Sequence, residues 1–225
     1  MISLLCPTRK RPDDFIRLHT SVMDTAHNPN EVEIIAVVDL NDFSYLDLEG
    51  MRNVVWITAR EGLVFSDLWN VAWRYASGDI FQLAADDEVF MTDGWDLVVQ
   101  SAFDEYEDRI LLVYGYCGEG VRQDAFGELP FISREWTDVV GRFVPGYYHH
   151  DYCDAHLNEV ANRIGRQQKI DIVTEHIRRA DGRAPHDETS LGIIERTMHL
   201  NSVPMWNTMV GEREKEAEKL RSVMK

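Results

Sequence analysis

The sequence predicts an α/β fold, a mostly parallel sheet flanked by helices and closed by a C-terminal helical extension. Three observations predict it. Short apolar runs alternate with helix-period runs through the first half of the chain. One of them, Val32 to Asp39, is β-branched almost throughout, as in a strand buried on both faces. Polar residues gather where the apolar runs end, which is where open α/β sheets bind ligands.

The first strand is expected at residues 2–7, closing on Pro7 and the basic loop Thr8-Arg9-Lys10-Arg11-Pro12. A helix follows, with Phe15, Leu18 and Val22 on one face and Pro12 near its first turn. Residues 32–39 and 54–58 are the next two strands. Residues 62–77 carry Val64, Leu68, Val71 and Tyr75 in helical phase, with Gly78 as the expected C-cap. Residues 79–85 form a fourth strand that runs into Asp86-Asp87-Glu88. Residues 95–106 read as helix and 110–116 as a fifth strand.

Beyond Gly118 the regularity falls off, because Gly, Pro and aromatic residues interrupt the pattern as far as Tyr148. Helices are expected at 133–140 and 151–164, the second closed by Gly165. A strand is expected at 169–178. The last stretch reads as helical and ends in the charged run 212–225, expected to be a solvated or dimerising helix.

Composition bounds the function. With 225 residues, 44% of them hydrophobic, the chain can bury a sizeable core in one domain, which excludes a disordered or collagen-like chain. Subtracting 39 acidic from 23 basic residues gives a net charge of −16. Nucleic acid and anionic membrane surfaces are therefore not the expected partners. An anionic small substrate would need a local basic patch or a bound cation. The three cysteines, Cys6, Cys117 and Cys153, are scattered and odd in number, which fits reduced thiols in a cytoplasm. The apolar start is too short for a signal peptide, and no run approaches the ~18 apolar residues of a membrane span.

Three expected strand ends describe one crevice. It has the basic loop Arg9-Lys10-Arg11 on one side and Asp86-Asp87-Glu88 on the other, with Asp39 between. Adjacent carboxylates repel one another unless something positive sits among them, and a hard divalent cation would do so. The alternative is a solvated acidic turn. The basic loop suits a diphosphate or simply a soluble connection. Asp39 suits a base or ribose hydrogen bond, or a turn.

Residues 146–156 pack three His, two Asp and three Tyr into eleven positions. One reading is a metal site using His149, His150 or His156. Another is a helix start bearing a catalytic carboxylate beside a tyrosine platform. A third has Asp151 as an N-cap and the rings as packing. Cys153, Leu157, Val160 and Ile164 share one helical face, with Asp154 offset from it. His176, in an expected strand, would need the carboxylate cluster beside it to be a metal ligand.

These residues resemble the GT-A fold glycosyltransferases, in particular family 2 and its small bacterial and phage-type relatives. The resemblance rests on Pro7-Thr8-Arg9 after the first strand, Asp39 after the second, and Ala76-Ser77-Gly78-Asp79 before the fourth. It rests also on Asp86-Asp87-Glu88 as a DxD-type motif, Thr92-Asp93-Gly94-Trp95-Asp96 after it, and Cys153-Asp154-Ala155-His156-Leu157. It implies a metal-dependent inverting glycosyltransferase using Mn2+ or Mg2+, a nucleotide-diphosphate sugar and a carbohydrate or other hydroxyl acceptor. Pro7, Thr8, Arg9, Arg11, Asp39 and Asp86 would hold the nucleotide. Asp39 fits uracil through the ring N–H, as it also fits guanine. Asp87, Glu88 and His176 would hold the metal, and Asp154 would be the base. Cys153 stands where the family usually has Glu, which makes Asp151 a rival base. The implied organisation is a nucleotide-binding half at 1–118, an acceptor half at 119–200 and a terminal helix at 201–225, with a homo-oligomer possible. Two other readings stand beside this one: a sugar nucleotidyltransferase, opposed by the lack of glycine in 7–12, and a GT-A-like binding module without activity.

Overall fold

In the computed structural model, residues 1–118, 126–149, 151–179, 182–199 and 202–225 are described. Eight strands form one sheet: β1 (Ile2–Pro7), β2 (Val32–Asp39), β3 (Val54–Ala59), β4 (Ile80–Leu83), β5 (Glu88–Phe90), β6 (Leu112–Cys117), β7 (Phe131–Ser133) and β8 (Gln167–His176). Their spatial order is β3-β2-β1-β4-β7-β6-β8-β5. Among the described residues four pairings are parallel (β1 with β2 and β4, β2 with β3, β6 with β8) and three are antiparallel.

Alternation along the buried strands serves two cores. Leu5 on β1 faces one and Leu4 the other, both fully buried. Burying a side chain of this size stabilises by about 1.5–3 kcal/mol. On one face pack α1 (Pro12–Thr25) and α3 (Trp95–Asp104), through Phe15, Leu18, Val22, Trp95 and Phe103. On the other pack α2 (Phe65–Tyr75), α4 (Arg134–Val140) and α5 (Cys153–Ile164). The chain ends in α6 (Glu188–His199), α7 (Ser202–Thr208) and α8 (Val210–Arg221).

Several expectations are corrected. The helix expected at 62–77 begins only at Phe65, and its C-cap is Ala76, not Gly78. Gly78 is needed for another reason: a Cβ there would lie 2.5 Å from Ser3 Oγ and 2.7 Å from the Met1 carbonyl oxygen. The fourth strand ends at Leu83, four residues before Asp87, so Asp86 and Asp87 sit in a turn and Glu88 opens β5. β5 and β7 are three residues each, too short for a period to register. The last strand runs Gln167–His176, two residues earlier than expected.

α8 is not a free solvated helix. Arg213, Glu216, Ala217 and Leu220 are buried against the sheet-facing helices, and His156 Nε2 on α5 lies 2.8 Å from Glu216 Oε2. Its charged appearance comes from residues such as Glu212, Glu214 and Lys215, paired along the outer face or across to α5. No helix among the described residues is long and apolar enough to cross a membrane. Cys6, Cys117 and Cys153 are free thiols.

Candidate functional site

Because β1, β2 and β4 run parallel, their carboxyl ends open on the same side of the sheet. A cavity of about 450 Å³ lies there. Pro7, Thr8, Arg9, Arg11, Asp39, Asp86, Asp87, Asp151, Asp154 and His176, ten of the eleven residues singled out in the sequence, line it. Glu88 does not. Its carboxyl is fully buried and takes two hydrogen bonds from Gln82 Nε2, at 3.0 and 3.1 Å. Burial raises Glu88 to about 8, well above the ordinary carboxylate range.

The β1–α1 loop is fixed by a hydrogen-bond chain. The Arg11 backbone N–H donates to Tyr45 OH at 2.9 Å, Tyr45 OH lies 2.6 Å from Thr8 Oγ1, and Thr8 donates to Asp86 Oδ2 at 2.8 Å. Arg11 Nη1 donates to Asp86 Oδ1 at 3.2 Å. Burial still lifts Asp86 to about 6, against the pull of Arg11. Arg9 Nε lies 3.2 Å from Asp39 Oδ2 at the end of β2.

At the other side, His176 Nε2 lies 3.0 Å from Asp87 Oδ1. Burial would raise Asp87, but the hydrogen bond and charge of His176 hold it below the ordinary carboxylate range. Burial alone would lower His176, but Asp87 and the neighbouring Cys117 and Glu128 groups hold it far above its ordinary value. Arg178 Nη1 donates to Glu128 Oε1 at 3.1 Å.

Asp154 sits in the first turn of α5 and accepts from the Ala155 N–H at 2.7 Å. Burial raises it to about 6, with help from the charges of Glu128 and Asp151. Asp151 is not the N-cap of this helix. Tyr152 takes that position with φ +75°, a conformation unusual for a large side chain. The tyrosine platform is packing: the Tyr152 ring stacks on Trp206 at 5.2 Å, and Tyr148 is fully buried. Of the histidines there, His149 reaches the cavity, His156 is buried under α8, and His150 lies outside the described residues.

The sequence reading missed four contributors. Asp187 takes a two-point ion pair from Arg11, Nε at 2.7 Å and Nη2 at 3.0 Å, and its Oδ1 also accepts from the Ser190 N–H at 2.7 Å, capping the start of α6. Arg179 Nε lies 2.9 Å from the same carboxylate. Thr189 on α6 donates to the Arg9 carbonyl, so α6 roofs the cavity over the β1 end. Glu128 comes from the irregular stretch before β7. No periodic signal marked it; only the pairing of β7 beside β4 brings it to His176.

No family model matches the sequence, and no curated protein matches it. Solved structures do match. Residues 1–349 of S. aureus TarS in complex with UDP align with a TM-score of 0.64 at 14% identity, over 96% of this chain and 80% of that one. The chain has the GT-A fold. The same TarS fragment in complex with UDP-GlcNAc gives a TM-score of 0.58 at 16% identity, over 77% of this chain and 55% of that one. The longer TarS structure gives 0.60 at 15% identity, and the chain spans 34% of its length. What is common at these identities is the fold.

Proposed function

We propose that the chain is a metal-dependent inverting glycosyltransferase that moves a sugar from a UDP-sugar to a hydroxyl of a carbohydrate or other acceptor. The observation that carries this reading is the convergence of Thr8, Arg11, Asp39, Asp87, His176 and Asp154 on one cavity at the carboxyl ends of β1, β2 and β4. The GT-A fold and the UDP and UDP-GlcNAc complexes of TarS support the choice of donor class.

In this reading residues 1–118 supply the nucleotide half and 119–200 the acceptor half. Asp39 accepts the ring N–H of the base, and Thr8 and Arg9 hold the nucleotide beside it. Arg11 and Arg179 face the diphosphate, whose place Asp187 fills with its own carboxylate. Asp154 takes the acceptor proton. A carboxylate with a value near 6 is ionised at pH 7 yet still basic enough to accept one. One base acting in line with the leaving group gives inversion at the anomeric carbon.

The donor set fits a divalent cation. Among the described residues His176 Nδ1 and Glu128 Oε2 are buried atoms without a hydrogen-bond partner. They would hold the ion, and Asp87 would steady His176 through Nε2. The ion would supply positive charge beside the departing diphosphate.

Turnover of UDP-sugars with simple glycoside acceptors tests this. Asp154→Asn is expected to lose roughly 10²–10⁴-fold in transfer while keeping UDP binding. Wild-type rates in that variant would move the base elsewhere. Failure of every UDP-sugar to bind would remove the donor class.

A further inference from the structure

Cys117 ends β6 beside the wall of the cavity. Its Sγ, a Glu128 carboxylate oxygen and a His176 ring nitrogen all lie within 4.8 Å of one another. His176 Nδ1 and Glu128 Oε2 are 3.7 Å apart. Two ligands at about 2.1 Å from one tetrahedral ion stand roughly 3.4 Å apart, so this spacing is close to that of a ligand pair. Behind them is a void of about 10 Å³, lined by Gln82, Glu88, Cys117, Glu128 and Thr174. That is the size of one water or one ion. Gln82 Oε1 is a third buried polar atom without a partner there, among the described residues. Gln82 and Glu128 line that void and His176 faces the large cavity beside it, so the three orphaned atoms flank one ion-sized space, which is unusual in a native interior.

We infer that Cys117, Glu128 and His176 form a three-ligand centre for a thiophilic divalent cation of the zinc or cobalt class, with the Cys117 thiolate as the selecting ligand. Its residues overlap the cation site of the proposed transfer reaction, so the inference deepens that reading by naming the class of ion. A thiolate ligand disfavours Mg2+, which takes oxygen ligands and keeps its waters. Loading replaces the Cys117 thiol proton and the Nδ1 proton of the His176 imidazolium with the ion and releases both protons to solvent. Asp87 then holds the second nitrogen of His176, the carboxylate–histidine–metal arrangement that orients an imidazole ligand. A fourth position is left for water or substrate oxygen.

The test uses the full chain after chelator treatment, titrated with Co2+ in the absence of nucleotide. The expected result is one equivalent bound, with a near-ultraviolet thiolate-to-cobalt charge-transfer band that excess Mg2+ does not remove. Cys117→Ser should lose the band although Cys6 and Cys153 remain. Asp87→Asn should keep it and weaken affinity by about 10–100-fold. No band in wild-type protein overturns the inference, as does a band that survives in Cys117→Ser or vanishes with Mg2+. UDP titrated into the same preparation reports on the donor reading separately, so either can fail alone.

Discussion

His176 Nε2 lies 3.0 Å from Asp87 Oδ1 and ties the end of β8 to the turn after β4. The antiparallel β5–β8 pairing sets this up, because it places Glu88 opposite His176 and leaves Asp87 one residue outside the ladder. One imidazole therefore meets Asp87 on one nitrogen and Glu128 on the other.

Replacing that imidazole separates metal-linked from direct nucleotide binding. His176→Ala is expected to abolish the strengthening of UDP binding by a divalent cation and to leave metal-free binding within about twofold. Calorimetry with and without the ion measures both. Equal strengthening in the variant and wild type would remove His176 from the cation site.

Asp154 makes the reaction pH-dependent. Its value of about 6 means the base form grows in as pH rises, so kcat/KM should climb through pH 6 and level off above it. Asp151→Asn should keep this limb, and the residual rate of Asp154→Asn should lack it. A limb retained in Asp154→Asn would assign it to Asp86, which burial lifts to the same region. The sign for stability is opposite. A folded-state value above the ordinary one means that stability falls as pH rises from the usual Asp range to about 6. Asp154→Asn is then expected to melt higher than wild type at pH 7.

Asp187 competes for the cations that a diphosphate would use. Burial would raise it, but Arg11 and the Ser190 N–H hold it far below the ordinary range, so it is ionised at all working pH. Asp187→Asn is expected to tighten binding of UDP and of inorganic pyrophosphate several-fold and to leave uridine unchanged. Weaker pyrophosphate binding in the variant would contradict the assignment of Arg11 and Arg179 to the diphosphate.

Glu216 anchors α8. It meets Arg142 and the fully buried His156, whose Nε2 donates to it and which burial holds below its ordinary value. Glu216→Ala strands both partners at a cost of about 2–4 kcal/mol, lowering Tm by roughly 5 °C or more. Thermal melts check this, and an unchanged Tm would show that apolar packing of Ala217 and Leu220 alone holds the helix.

Much of the fold was legible in the sequence, and ten of the eleven singled-out residues lie on one cavity, for identifiable reasons. β1 and β2 are buried on both faces, so their apolar runs are continuous and end sharply at polar residues. Glu88 was misleading because three adjacent acids look alike in sequence. Only the strand restart at Glu88 turns that side chain inward to Gln82 while Asp86 and Asp87 stay in the turn. Glu128, Arg179 and Asp187 left no local signal. Their positions depend on long-range pairing, β7 beside β4 in one case and the docking of α6 on the β1–α1 loop in another. α8 was misjudged because its buried Arg213 and Glu216 are charged, and no hydrophobic stripe marks the face that they share.

The most direct test of the central claim is the thermal shift of the full chain with UDP, GDP, CDP and ADP, each with chelator, Mn2+ or Co2+. A nucleotide at ~100 times its dissociation constant adds about 2.7 kcal/mol, enough to read as a shift. The account expects UDP to stabilise, and to do so more with a divalent cation than with chelator. No stabilisation by any nucleoside diphosphate, with or without metal, would contradict it.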